Sequence, residues 1–214
     1  VRSSVDFDPC GSGEPAPDAT WRVMARPLDG QAEVRAPEIG GKLDLQQLVL
    51  DLSGAQGVTS VNLFTSEVQV DRAGLSVTVA MPVVPNAIGS PDTRHMVGTE
   101  GRNILHAGEH GTTFEGRGGA DALVGGSSAD IFRFTSLAQS TLEDYASIYQ
   151  FGSEDRIEIT RSEAMRQHNY TMRAEDRGCG WWQLTIDEGK DGSPEFFAMV
   201  ETQRLDLNSV HFVD

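Results

Sequence analysis

Five residues of this chain have the types and spacing to hold a metal. His106-Ala107-Gly108-Glu109-His110 spell H-x-x-E-H. On a helix, two imidazoles one turn apart bind Zn²⁺, and the glutamate between them activates a metal-bound water for hydrolysis. That chemistry needs the helix, because only there do residues i and i+4 share a face. Gly108 and Gly111 interrupt the segment, and its neighbours read as turns and three-residue strands. The expectation is therefore two solvated loop histidines and no zinc. H-E-x-x-H does not occur either. Serine, histidine and aspartate are all present, but no G-x-S-x-G displays a nucleophile. The glycines at Gly11 and Gly116 are followed by no G-K-[ST] and make no phosphate loop. Glu143-Asp144 and Glu154-Asp155 are adjacent carboxylates in a chain with 32 acidic residues, where solvated faces are the default reading. Trp181-Trp182 could stack on a sugar, yet adjacent strand residues face opposite ways, so one is expected in the core and the other partly exposed. Asn169-Tyr170-Thr171 is a formal glycosylation sequon. No catalytic constellation emerges, and the chain reads as a non-enzyme.

The glycines around the histidines belong to a nine-residue period. Five rows align: GSPDTRHMV from Gly89, GTEGRNILH from Gly98, AGEHGTTFE from Ala107, GRGGADALV from Gly116 and GGSSADIFR from Gly125. Position one is glycine in four of the five rows. Position eight is always large and apolar: Met96, Leu105, Phe114, Leu123, Phe132. Position six is Arg94, Asn103, Thr112, Asp121 and Asp130. A fixed period of this kind marks a coiled architecture in which each row is one structural unit. His106 and His110 fall at positions nine and four of successive rows, so their spacing follows from the repeat.

The rows resemble the G-G-x-G-x-D-x-U-x nonapeptide of RTX (hemolysin-type) calcium-binding proteins. The resemblance implies that six residues of each row turn, three form a strand, and successive rows wind into a parallel β-roll. Glycine permits the tight turn. Carbonyls and the position-six carboxylate would supply hard oxygen ligands for Ca²⁺. In that fold an ion lies between row n and row n+2, which pairs Asp121 with Asn103 and Asp130 with Thr112. Arg94 would pair with Thr112 and cannot ligate a cation. One or two Ca²⁺ ions are expected, at Asp121 and Asp130, with carbonyls from Gly116, Gly118, Gly119, Gly125 and Gly126 and a neutral oxygen from Asn103. The alternative is a roll that keeps its shape and binds no metal.

The likeness continues outside the rows. ADIFRFTS from Ala129 and SIYQFGSEDRIEIT from Ser147 resemble the end of RTX secretion modules, with Phe151, Gly152, Asp155, Ile157 and Ile159 matching. Gln150 and Glu158 stand where that family has aspartate. The ending LDLNSVHFVD is similar to the uncleaved C-terminal tails of type I secretion cargo. The resemblance implies a secreted, extracellular or cell-surface module whose partner is the type I secretion machinery. Cell-surface polysaccharide and self-assembly are further candidate partners. Two alternatives stand beside it: an accessory module of a larger polysaccharide-modifying enzyme or metalloprotease, and a building block of a surface layer, filament or adhesin.

The bulk charge suits a chain that binds cations or simply stays soluble. The 214 residues carry 17 basic and 32 acidic side chains, a net charge of −15, which repels nucleic acid and anionic membrane surfaces. No apolar run is long enough to span a bilayer. The start, Val1-Arg2-Ser3, holds no apolar signal segment, which suits a processed protein, a fragment or cargo of a route that reads no N-terminal signal. Cys10 and Cys179 could form one disulfide in an oxidising compartment.

Alternation and β-branched residues predict an all-β fold with minor helix. Residues 1–20 read as a flexible arm and 21–88 as a strand-rich region, with LDLQQLVLDL the one stretch there that could pass for a short helix. Residues 89–133 form the roll, and 134–214 a C-terminal β cap with the secretion signal and a short helix at RSEAMRQHN.

Overall fold

The structure is a computed structural model that describes residues 22–24, 30–35, 38–39, 42–43, 48–72, 75–80, 85–189 and 191–214. The expected arm at 1–20 lies outside the described residues. Among the described residues the first elements are β1 (Arg22–Met24), β2 (Gly30–Arg35), β3 (Glu38–Ile39) and β4 (Lys42–Leu43). Next come β5 (Val49–Ala55), β6 (Val58–Asn62), β7 (Glu67–Arg72) and β8 (Leu75–Ala80). Within LDLQQLVLDL, the residues from Val49 onward are strand and not helix, because Val49, Leu50 and Leu52 bury against the core.

β9 (Asn86–Ile88) precedes the five rows, and each row ends in a strand at positions seven to nine. These are β10 (His95–Val97), β11 (Ile104–His106), β12 (Thr113–Glu115), β13 (Ala122–Val124) and β14 (Ile131–Phe134). Strands alternate between two sheets, so each pairs in parallel with the strand two rows away. Ile104 lies opposite Ala122, and Thr113 opposite Ile131. The middle residue of each row's strand points inward: Met96, Leu105, Phe114, Leu123 and Phe132 are all 0% exposed. Phe114 and Phe132 stack with centroids 5.2 Å apart.

The coil extends past the rows at both ends. β15 (Ala146–Tyr149) and β16 (Arg156–Thr160) add to β13 and β14. A single-turn helix, α1 (Glu163–Arg166), follows where a short helix is expected, with Ser162 Oγ accepting the Met165 N–H as its N-cap. β17 (Tyr170–Gly178) and β18 (Trp181–Glu188) then form an antiparallel hairpin. β19 (Phe196–Glu201) and β20 (Val210–Val213) rejoin the parallel stack on β15 and β16.

The larger sheet runs β1-β2-β5-β9-β11-β13-β15-β19-β18-β17, and the facing sheet β20-β16-β14-β12-β10-β6-β7-β8. The fold is all-β with minor helix, parallel and roll-like at its centre and antiparallel at its ends. The tail LDLNSVHFVD contains β20, which lies parallel to β16 and buries Val210. No helix among the described residues is long and apolar enough to cross a membrane.

Candidate functional site

The position-six residues sit where each turn enters its strand, along the two edges of the coil. Asn103 and Asp121 precede β11 and β13 on one edge. Thr112 and Asp130 precede β12 and β14 on the other. All four are buried. Arg94, at the same position of the first row, is exposed.

The expected pairings form, through the protein's own groups. Asp121 Oδ1 accepts the Asn103 N–H at 2.9 Å, and Asp130 Oδ1 accepts the Thr112 N–H at 2.7 Å. The other carboxylate oxygen of Asp130 closes its own turn by accepting the Gly126 N–H at 2.6 Å. Asn103 does the same with the Thr99 N–H at 2.5 Å. A position-six side chain therefore ties its own turn to the turn two rows earlier. Below Thr112 the ladder continues by hydroxyls: Thr112 Oγ1 donates to Thr93 O, and Thr93 Oγ1 to Val58 O. Below Asn103 its amide donates to Pro85 O, and Asn86 Oδ1 accepts the Ile104 N–H.

Asp155 joins the ladder above Asp130 and was absent from the expected site. Its Oδ1 accepts the Asp130 N–H at 2.7 Å and its Oδ2 accepts the Gly152 N–H at 2.7 Å. The 25-residue separation from Asp130 breaks the nine-residue period, so row alignment does not reach it. The signal that could have found it is the Phe151-Gly152-x-x-Asp155 segment, which repeats a turn followed by an aspartate and a strand.

The glycines let the turns approach. A methyl on Gly116 would meet Asp121 Oδ2, and one on Gly125 would lie 3.1 Å from Asp130 Oδ2. Gly119 has φ +94°, and a methyl there would lie 2.6 Å from the Gly101 carbonyl carbon two rows earlier. Gly118 packs beside the Glu100 carboxylate. Gly126 presents an N–H, not its carbonyl, to Asp130.

Burial dominates the electrostatics here. Desolvation lifts the Asp121 carboxyl to about 8, outweighing the hydrogen bond from Asn103. Burial raises Asp130 as well, against the amides of Gly126 and Thr112, and the neighbouring charge of Asp155 adds to the rise. Burial also raises Asp155.

These oxygens fit a hard cation in type and in energetics, since an ion would restore the charge stabilisation that burial removes. Asp121 with Asn103 would hold one ion on one edge, and Asp130 with Asp155 another on the opposite edge. No group of three or more histidine, cysteine or acidic side chains gathers among the described residues, so backbone carbonyls must complete either set.

The other candidates resolve by position. His106 ends a strand and His110 lies exposed in a turn, its Nδ1 2.5 Å from Pro91 O, so the helix that H-x-x-E-H requires is not formed. Trp181 is 2% exposed in a small cluster with Phe197 and Met199, while Trp182 is half-buried against the main core, on opposite faces of β18. Glu143, Asp144 and Glu154 are exposed and Asp155 is buried in the ladder. Cys179, in the turn between β17 and β18, is disulfide-bonded, and Cys10 lies outside the described residues. A scan against protein-family models finds no match, and a search of curated proteins finds none.

Proposed function

We propose that this chain is a non-catalytic, calcium-binding roll module of the RTX type, exported by a type I route and folded outside the cell. The observation that carries this reading is the buried ladder Thr112–Asp130–Asp155 with its counterpart Asn103–Asp121. Buried carboxylates that burial pushes towards protonation, stacked two rows apart at turns rich in backbone oxygens, are sites whose stability a hard cation would raise. Calcium binds only the folded arrangement of such turns, so it stabilises by mass action. Low cytosolic calcium keeps a chain of net charge −15 loose for export, and external calcium lets it close. Its partners are then the secretion machinery during export and the cell surface afterwards.

The test is a calcium titration of EGTA-stripped protein followed by circular dichroism and calorimetry. Wild type is compared with Asp121→Asn, Asp130→Asn and the double variant, which remove the charge and keep one acceptor oxygen at each position. Calcium is expected to raise the melting temperature of wild type, less for each single variant and least for the double, and a rise in the double as large as in wild type would overturn the reading. Identical melting of stripped wild type with and without calcium would sink the reading.

A further inference from the structure

The hairpin loop between β18 and β19 lies apart from the roll edges. Its sequence from Asp187 is Asp-Glu-Gly-Lys-Asp-Gly-Ser-Pro-Glu. Asp187 is 7% exposed and is the last outward-facing residue of β18. Its Oδ2 accepts the Gly192 N–H at 2.8 Å across the loop. Its Oδ1 is buried and has no hydrogen-bond partner among the described residues. A buried carboxylate oxygen without a donor is costly, and an ion at that position would offset the cost.

The spacing matches such an ion. In calcium loops of the EF-hand kind, position one is a carboxylate, position five offers an oxygen, position six is a glycine that makes the sharp turn, and position seven turns a carbonyl inward. Counting from Asp187, position five is Asp191, position six is Gly192 with φ +90°, and position seven is Ser193. Asp191 Oδ1 accepts the Ser193 N–H at 2.9 Å, which leaves its second carboxylate oxygen for a ligand. Two departures limit the set: Gly189 at position three has no side chain, and position twelve is Ala198, inside β19. Glu195, at position nine, turns its Oε2 to the Glu188 N–H at 2.6 Å.

We propose that Asp187 and Asp191, beside Gly192 and Ser193, are the carboxylate ligands of a calcium site separate from the roll. All its donors are oxygens, which excludes softer metals. Its irregular, incomplete coordination favours Ca²⁺ over Mg²⁺, which demands a near-octahedral shell. With few ligands, affinity falls in the range of extracellular modules, with Kd about 10⁻⁴–10⁻³ M.

The test uses ¹H–¹⁵N correlation spectra of the full, EGTA-stripped chain titrated with CaCl₂ to about 10 mM, well above that range. The amide signals of Asp191, Gly192 and Ser193 are expected to move and saturate. The same movement is expected in the Asp121→Asn/Asp130→Asn variant, which separates this site from the roll: a loop response without a roll response defeats only the roll reading. Asp187→Asn is expected to weaken the loop response about tenfold or more, and the exposed Asp191→Asn to weaken it while keeping dispersed spectra even if Asp187→Asn misfolds. Loop signals that stay still as calcium rises, or that move unchanged in Asp191→Asn, would overturn the site and leave a bound water as the partner of Asp187.

Discussion

Asp121 sets the pH response of the metal-free protein. A free aspartate ionises near 3.9, whereas Asp121 in the fold ionises at about 8 because burial disfavours its charge. The folded state therefore holds a proton that the unfolded chain releases between those values. The stability gained from the protonated group is present in full below about pH 4 and is lost as pH rises towards about 8. Asp130 and Asp155 shift in the same direction and deepen the loss. Urea unfolding across that window should show stability of stripped protein falling with pH, with a shallower slope for Asp121→Asn. A slope unchanged by the substitution would remove Asp121 as its source. Calcium competes with the same protons, so its affinity should rise over the same window, and a weakly buffered titration should register proton release on binding.

The row is the unit at the scale of the element, and two of its positions predict opposite outcomes. A methyl on Gly108 would run into Ser90 O of the turn two rows earlier. Gly108→Ala should cost about 1–3 kcal/mol through overpacking. Gly101 occupies the open part of its turn, where a methyl meets only Thr99 Oγ1 at 3.9 Å. Gly101→Ala should be neutral or stabilise by up to about 1 kcal/mol, by restricting the unfolded chain. Inside the coil, Phe114→Ala removes one face of the stack with Phe132 and should cost about 3–5 kcal/mol. Chemical denaturation of the three variants checks the series, and equal costs for the two glycine changes would contradict the stacked-turn geometry.

The whole molecule is governed by charge. With 32 acidic against 17 basic residues, self-repulsion opposes the compact state. Only part of the acidity is neutralised locally, as in the outer-face network where Arg133 reaches Glu115 at 3.3 Å and Glu158 at 2.9 Å. That network holds Glu158 below the ordinary glutamate range, through hydrogen bonds from Arg156 and Arg133 that overcome its burial. Raising NaCl from about 0.01 to about 1 M shrinks the screening length from roughly 30 Å to roughly 3 Å. The melting temperature of stripped protein should rise across that series, and calcium should add less at its high end. A melting temperature that falls with salt would show that attractive pairs outweigh the net repulsion.

The sequence by itself determined the coil's period and its inward residues, and the RTX resemblance implied its two-sided stacking. A nine-residue row repeats the same local problem, with glycine where the chain turns and one apolar residue where it enters the core. Past the rows only alternation is left to read: in β17, Tyr170, Met172 and Ala174 pack on the core while the alternating Arg173 and Glu175 are exposed. Tertiary structure alone decided that Asp155 stacks on Asp130 across an irregular excursion, and that the hairpin loop folds back to bury Asp187. Both depend on contacts between segments whose spacing no local pattern encodes. The acidity of Asp121 was equally out of reach, because desolvation is a property of the packed surroundings and not of the residue.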